Sequence, residues 1–184
     1  RRTDPIRRRP AEALTGLCLT GTAETIPTLA EVLELVAGKV PLLIEVKDQD
    51  GALGPAVGGL EQAVARLLTT YHGPLAVMSF NPHSVAALRR AAPDVPRGLV
   101  TGAFAPDDWA HVPASRCDLL RDITEGLRVG ASFISHDWRD LRRARVSDLK
   151  RNGVAVLCWT LRSWDEATTA LENADNITFE GYRP

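Results

Sequence analysis

Six short apolar segments alternate with amphipathic stretches along this chain, and this alternation constrains the fold more than any other feature. Each apolar segment predicts a strand, and each amphipathic stretch predicts a helix. Such alternation is typical of right-handed βαβ units and a parallel sheet. We therefore predict a single α/β domain over residues 1–184. The predicted strands span residues 40–47, 75–80, 98–101, 131–135, 154–160 and 176–179.

The segments between the strands carry helix signals of their own. Glu31 follows Thr28 at the spacing of a capping box, and Gly38 predicts the end of that helix. Ser163 predicts the start of the last helix. Residues 103–116 form a long irregular connection, of the kind that is often functional. The predicted helices span residues 28–38, 60–72, 83–92, 118–128, 144–152 and 164–173.

Composition and charge argue against two classes of partner. The formal net charge of −1 gives no electrostatic argument for binding nucleic acid. A basic cluster near the start of the chain, formed by Arg1, Arg2, Arg7, Arg8 and Arg9, lacks interleaved aromatic residues that could stack on bases. No apolar stretch approaches the roughly 20 residues of a membrane span. We therefore predict no nucleic-acid partner and no integral membrane segment.

The three cysteines, Cys18, Cys117 and Cys158, are an odd number and lack metal-ligand spacing. This pattern is typical of reduced thiols in an intracellular protein. We therefore expect a cytoplasmic location.

The segment Leu42-Leu43-Ile44-Glu45-Val46-Lys47 ends a predicted strand with two charges. A buried strand tolerates charge only at its end, where side chains meet water, a metal or a ligand. In parallel sheets the carboxyl end of a strand is also where functional sites are built. Glu45 and Lys47 are two residues apart and point to the same face, so a simple salt bridge between them is the alternative interpretation.

The chain resembles the glycerophosphodiester phosphodiesterase family from about residue 12 to residue 184. The resemblance implies a TIM (β/α)8 barrel and hydrolysis of glycerophosphodiesters to glycerol 3-phosphate and an alcohol. It also implies a divalent metal ion, Ca²⁺ or Mg²⁺. The motifs that carry it are Ile26-Pro27-Thr28-Leu29, Pro41 to Lys47, Ser79-Phe80, Trp159-Thr160 and Ala174-Asp175-Asn176.

The resemblance also implies roles for four residues. Glu45 would bind the metal ion, since carboxylate oxygens suit hard cations, and Lys47 would stabilise charge on the phosphate. Phe80 and Trp159 would line the pocket that holds the glycerol or alcohol group of a small-molecule substrate. The alternatives are the Glu45–Lys47 salt bridge and ordinary core packing of the two aromatic rings.

The chain departs from the family pattern at its start. The family places a His-Arg-Gly motif and a Glu-x-Asp motif on its first two strands, and neither motif occurs here. The six predicted strands therefore correspond to family strands 3 to 8, so about six of eight βα units are evident. We expect the chain to represent the C-terminal three-quarters of a longer enzyme, whose acid–base pair lies elsewhere. Six strands cannot close such a barrel, so two exposed sheet edges are predicted.

Two alternative functions stay open. One is a catalytically inactive barrel that binds phosphate-containing ligands. The other is a different phosphate-handling TIM-barrel enzyme, although the expected Gly-rich phosphate loop is reduced to Gly181 after the last strand. His136-Asp137 does not match the family's early histidine motif, and Glu180 is interpreted as the surface partner of Arg183. Arg121 has no motif support.

Overall fold

The structure is a computed structural model that describes residues 6–184, with the side chain of Leu127 left out. Arg1 and Arg2 of the predicted basic cluster lie outside the described residues. Arg7 belongs to a short 3-10 helix, Ile6–Arg8, and donates a hydrogen bond to the backbone carbonyl of Gln49. Among the described residues, no helix has the length and apolar character needed to cross a membrane.

Six parallel strands form one sheet in sequence order, which confirms the predicted α/β architecture. Every predicted strand is present, with small shifts at its ends. Neighbouring strands pair in register, for example Ile44 with Val77 and Leu99 with Ile134. The strands are β1 (Leu42–Glu45), β2 (Leu75–Ser79), β3 (Arg97–Thr101), β4 (Phe133–Asp137), β5 (Ala155–Leu161) and β6 (Asn176–Phe179).

Most helices follow the predicted pattern, with three corrections. The helix Ala11–Thr15 was not predicted, and another helix begins at Ala114, within the connection 103–116 predicted to be irregular. Residues 118–128 do not form one helix, because Ile123 is buried in the core with a left-handed backbone (φ 54°) that interrupts it. A second 3-10 helix spans Trp138–Asp140. The α-helices are α1 (Ala11–Thr15), α2 (Leu29–Val36), α3 (Gly59–Leu68), α4 (Pro82–Ala91), α5 (Ala114–Arg121), α6 (Thr124–Arg128), α7 (Ala144–Arg151) and α8 (Trp164–Leu171).

The predicted capping box at the start of α2 is confirmed. The backbone N–H of Thr28 donates to Glu31 Oε2 at 2.7 Å, and the backbone N–H of Glu31 donates to Thr28 Oγ1 at 3.2 Å. At the other end, Ala37 takes the left-handed C-cap conformation (φ 46°) directly before Gly38. The helix therefore ends next to Gly38, as predicted, and the chain continues from there into β1.

Side-chain alternation gives the sheet two different faces. On the helix-covered face, strand residues such as Leu99, Ile134 and Val156 pack against Val146 and Leu149 of α7. On the opposite face, which we call the inner face, a separate apolar cluster consists of strand residues and the residues that follow them. The inner-face cluster comprises Met78, Val100 and Phe133, with Ala76, Phe80, Leu157 and Trp159 packed against it.

The sheet is an open, curled part of a TIM barrel. Within residues 6–184, β1 pairs only with β2 and β6 pairs only with β5, so both predicted edges are present. Leu43 of β1 and Phe179 of β6 are 39% and 44% exposed. The extent of the domain, 1–184, stays a prediction.

Close packing between β3 and β4 gives a test of this inner face. Gly98 pairs with Phe133, and a Cβ atom at position 98 would overlap the Phe133 ring. We expect Gly98→Ala to lower the free energy of unfolding by about 1–3 kcal/mol, measured by urea denaturation. Part of this loss should be recovered when Phe133→Leu is added, because the smaller side chain makes room.

The control is Gly59→Ala, at a position where an added Cβ meets no atom within 4 Å. It should leave stability unchanged or raise it slightly. Strict additivity of Gly98→Ala and Phe133→Leu in the double variant would contradict the predicted contact.

Candidate functional site

A cavity of about 610 Å³ opens at the carboxyl ends of strands β2 to β5. We call it the mouth cavity. Phe80 follows β2, Gly102 follows β3, Asp137 ends β4 and Trp159 lies near the end of β5, and all four line it. The volume falls within the roughly 300–1,000 Å³ of small-molecule sites. The cavity therefore lies at the edge of the sheet where parallel α/β folds build their sites.

Aromatic rings form one wall of the mouth cavity. The Phe80 ring centroid lies 5.3 Å from that of Trp109 and 5.5 Å from that of Trp159. Phe104 is buried and packs against Phe80 and Trp109, with its ring centroid 4.9 Å from that of Trp109. The Trp159 indole is fixed by its Nε1–H, which donates to the Ser135 carbonyl at 2.9 Å. The two aromatic residues singled out from the sequence, Phe80 and Trp159, thus lie together on the cavity wall, and their contact with substrate stays a prediction.

The irregular connection between β3 and α5 supplies much of the cavity. Its residues Phe104, Asp108 and Trp109 line the cavity. Arg121 holds this loop from α5, because its Nε donates to the Ala103 carbonyl at 2.7 Å and its Nη2 donates to the Phe104 carbonyl at 3.0 Å. Sequence reasoning gave Arg121 no role, since neither its spacing nor a motif indicates which carbonyls it reaches.

The loop after β1 packs against the loop after β3. Buried Leu53 belongs to the same apolar cluster as Phe104 and Leu120. Arg116 ties the loop after β1 to α5, because its Nε donates to the Leu53 carbonyl at 3.0 Å. These contacts are long-range in sequence, and together they give the aromatic wall a fixed support.

Three aspartates and one arginine, Arg139, are the charged residues that line the cavity. Asp137 accepts two hydrogen bonds from Arg139, at 3.0 Å from Nε and 2.7 Å from Nη2. This pairing raises the pKa of the Arg139 guanidinium. Asp140 accepts from Arg143 Nε at 2.9 Å. Asp108 is exposed and lies within no ion-pair distance of a cationic side chain of residues 6–184, but its charge also contributes to the raised pKa of Arg139.

His136 is adjacent to Asp137 in sequence but points to the helix-covered face. It is fully buried, with Nδ1 2.7 Å from Thr101 Oγ1 and Nε2 3.2 Å from Asp140 Oδ2. Burial lowers the pKa of His136, and this effect outweighs the neighbouring Asp140 carboxylate. The ring is therefore neutral at neutral pH. Its Nε2 atom contacts the Asp140 carboxylate from the helix-covered side of the sheet. No histidine of the described chain lines the mouth cavity.

Glu45 and Lys47 lie at the carboxyl end of β1, outside the lining of the mouth cavity. Lys47 Nζ is 2.8 Å from Glu45 Oε1, so the two side chains form the ion pair considered as an alternative. This contact lacks hydrogen-bond geometry, so Glu45 Oε1 is buried and accepts no hydrogen bond, although it faces the Lys47 ammonium. The Lys47 side chain is 72% exposed. Their roles as metal ligand and phosphate stabiliser stay predictions.

Glu45 Oε1 accepts no hydrogen bond but contacts Lys47 Nζ at 2.8 Å. As a carboxylate oxygen it suits one ligand position of a hard divalent cation. However, nowhere in residues 6–184 do three His, Cys, Asp or Glu side chains come together as a metal site. The described residues thus supply a single ligand and do not by themselves fit a complete Ca²⁺ or Mg²⁺ site.

At β6, Glu180 pairs with Arg162, so the partner predicted for it, Arg183, was wrong.

Comparison with known proteins connects this architecture to a family. The model of the glycerophosphoryl diester phosphodiesterase family matches residues 2–174. A comparison with curated proteins gave no match.

Solved structures show the same fold. A protein from Galdieria sulphuraria, classed as a glycerophosphodiester phosphodiesterase, is 21% identical with a TM-score of 0.72, over 96% of this chain and 68% of its own. An Oleispira antarctica phosphodiesterase in complex with the product sn-glycerol-3-phosphate is 22% identical with a TM-score of 0.61, over 84% of this chain and 57% of its own. A Parabacteroides distasonis glycerophosphodiester phosphodiesterase is 19% identical with a TM-score of 0.64, over 92% and 66%. This chain thus spans between about half and two-thirds of the length of such structures.

The buried histidine predicts a pH dependence of stability. Because burial lowers the pKa of His136 in the folded protein, the unfolded chain binds this proton more readily. The stability contributed by neutral His136 is therefore present above its unfolded pKa, about 6.5, and is lost as the pH falls below it. We expect urea denaturation between about pH 7 and pH 5 to show a steeper loss of stability for the wild type than for His136→Gln.

The matched control is His72→Gln, which changes an exposed histidine and should keep the wild-type pH slope. Identical slopes in the wild type and His136→Gln would contradict the neutral, buried state of this ring.

Proposed function

The chain belongs to the glycerophosphoryl diester phosphodiesterase family, and from this membership we propose that the protein hydrolyses glycerophosphodiesters to glycerol 3-phosphate and an alcohol. The observation that carries the proposal is the family match over residues 2–174. The Oleispira antarctica phosphodiesterase, which holds sn-glycerol-3-phosphate, supports the product assigned here. The mouth cavity supports it too, because it provides a site of small-molecule size at the carboxyl edge of the sheet.

Four residues have roles in this proposal. Glu45 supplies one oxygen ligand to a divalent ion, Ca²⁺ or Mg²⁺, because its Oε1 atom is buried and accepts no hydrogen bond. Lys47 offsets charge on the phosphate, as fixed cations do in phosphoryl chemistry. Phe80 and Trp159 contact the alcohol from the cavity wall. A bound ion would polarise phosphoryl oxygens. Residues 6–184 supply no cluster of metal ligands and no histidine at the cavity lining.

A second candidate function is phosphate-ligand binding without turnover. It is favoured by the lining of the mouth cavity, where the described residues place no histidine, and by the lack of a cluster of metal-ligating side chains among these residues. The third possibility considered from the sequence, a different phosphate-handling TIM-barrel enzyme, is disfavoured by the family match. Turnover therefore separates the two candidates that remain.

Release of sn-glycerol 3-phosphate from glycerophosphodiesters is the direct test. We expect release by the full-length protein to need Mg²⁺ or Ca²⁺ and to stop when the ion is chelated. Glu45→Gln keeps the shape of the side chain but removes its charge, so activity should fall about a hundredfold. The matched control is Glu34→Gln, on the exposed side of α2, which should keep wild-type activity.

Calorimetric titration with Mg²⁺ and Ca²⁺ adds a readout that does not depend on turnover. Weaker ion binding by Glu45→Gln than by Glu34→Gln is expected. Full activity and unchanged ion binding in Glu45→Gln would remove this residue from the site. Ligand binding by the wild type with no release of glycerol 3-phosphate would favour the second candidate.

A further inference from the structure

One side-chain hydrogen bond joins the two sides of the candidate site. It runs from Asn81, which directly follows Phe80, to Asp48, which directly follows Lys47. We propose that Asn81 is a positioning residue, which fixes Lys47 and Glu45 relative to the aromatic wall. The inference rests on the proposed function for the roles of these side chains, whereas the coupling of the two loops rests on the contacts of Asn81 alone.

Asn81 is completely buried at the start of α4, and both polar atoms of its side chain have partners. Its Oδ1 accepts from the backbone N–H of His83 at 2.9 Å, as expected for an N-cap residue. Its Nδ2 donates to Asp48 Oδ1 at 2.6 Å and to the Gly54 carbonyl at 2.8 Å. Serine or aspartate would supply the cap equally well. The amide nitrogen is therefore what asparagine adds, and both of its hydrogen bonds reach the loop after β1.

The backbone around Lys47 is held on both sides. Before it, the backbone N–H of Val46 donates to the Met78 carbonyl at 2.7 Å, which continues the pairing of β1 with β2. After it, the carboxylate of Asp48 accepts from Asn81. The first contact is made by the backbone, whereas the second is made by side chains, so a substitution can remove the second and leave the first.

The Asp48 carboxylate also closes the loop after β1. Its Oδ2 accepts from the backbone N–H of Leu53 at 3.2 Å. Leu53 is buried with a left-handed backbone (φ 53°) and belongs to the same apolar cluster as Phe104. Asn81 thus bonds to both ends of residues 48–54, and the packing of this loop under the aromatic wall depends on it.

Lys47 is sensitive to the position of its own backbone. Its side chain is 72% exposed and makes an ion pair with Glu45 at 2.8 Å, so packing does little to place it. A cation stabilises charge on a phosphate only where its position matches that charge, and a displacement of about 1 Å can lower a rate a hundredfold. Loss of the bond between Asn81 and Asp48 is therefore expected to impair turnover.

Exchanging the donor for an acceptor tests this bond. Asn81→Asp keeps the N-cap but brings a carboxylate against Asp48, and Asp50 lies close to Asp48 as well. We expect kcat for release of sn-glycerol 3-phosphate by the full-length protein to fall about a hundredfold. The change in KM should be much smaller, because the lost stabilisation acts in the transition state. Unchanged kcat in folded Asn81→Asp would overturn the proposal.

The exchanged pair, Asn81→Asp with Asp48→Asn, restores the bond with its direction reversed. The amide at position 48 then donates to the carboxylate at position 81, and its oxygen still accepts from the Leu53 backbone. The bond to the Gly54 carbonyl stays lost, so recovery is partial. We expect kcat of the pair to exceed that of Asn81→Asp about tenfold. Simple addition of the two single losses would contradict a positioning role for this bond.

Ser84→Ala is the matched structural control. Ser84 is buried on the same helix, and its Oγ donates to Glu61 Oε1 at 2.6 Å, away from the loop after β1. The variant removes a buried hydrogen bond of similar length, so urea denaturation should show a loss of stability while kcat stays at the wild-type value. A loss of kcat as large as that in Asn81→Asp would show that both substitutions act through stability, and would reject the proposal.

Hydrogen exchange followed by mass spectrometry gives a readout without turnover. The backbone amides of residues 49–54, above all that of Leu53, should exchange faster in Asn81→Asp than in the wild type. They should slow again in the exchanged pair and stay unchanged in Ser84→Ala. If Asn81→Asp does not fold, Asp48→Ala removes the same bond from a partly exposed position and should give the same faster exchange and lower kcat. Unchanged exchange in the folded variant would overturn the coupling of the loops.

Exchange and turnover together keep the two proposals apart. Faster exchange that the exchanged pair reverses, with no release of glycerol 3-phosphate by the wild type, would support the coupling by Asn81 and reject hydrolysis. Release by the wild type, with kcat and exchange unchanged in Asn81→Asp, would support hydrolysis and reject the positioning role.

Discussion

The parallel pairing of six strands in sequence order places all of their carboxyl ends at one edge of the sheet, and the functional surface depends on this arrangement. Because side chains alternate along a strand, neighbouring residues near that edge point to opposite faces of the sheet. His136 points to the helices, whereas its neighbour Asp137 points into the mouth cavity. The same alternation brings Phe80 and Trp159 onto one wall, although they lie on strands that are far apart in sequence.

The strands and most helices could be predicted because their signals are local. Apolar runs mark the strands, and the pair Thr28 and Glu31 marks the start of α2. The break between α5 and α6 could not be predicted, because it depends on burial of Ile123 in a left-handed conformation. A β-branched residue gives no local signal for such a conformation, and tertiary packing is what selects it.

The candidate site could be predicted in part. Glu45, Lys47, Phe80 and Trp159 lie at the ends of apolar segments or just after them, so their position at the carboxyl edge was visible in the sequence. The contribution of Trp109 and its neighbour Asp108 was not, because their loop has no periodic pattern. Its position is set by Arg121 and by packing between loops, and both depend on contacts distant in sequence. The sequence placed the loop among functional candidates only through its length.

In the proposed function, the aromatic wall of the mouth cavity receives the alcohol of a glycerophosphodiester. The four tryptophans allow a direct measurement, because Trp109 and Trp159 line the cavity while Trp138 and Trp164 do not. In fluorine NMR of the full-length protein labelled with fluorotryptophan, titration with glycerophosphocholine should shift the resonances of Trp109 and Trp159 saturably and leave the other two unchanged. Saturable shifts confined to Trp138 and Trp164, or no saturable shift of any tryptophan, would contradict this role of the aromatic wall.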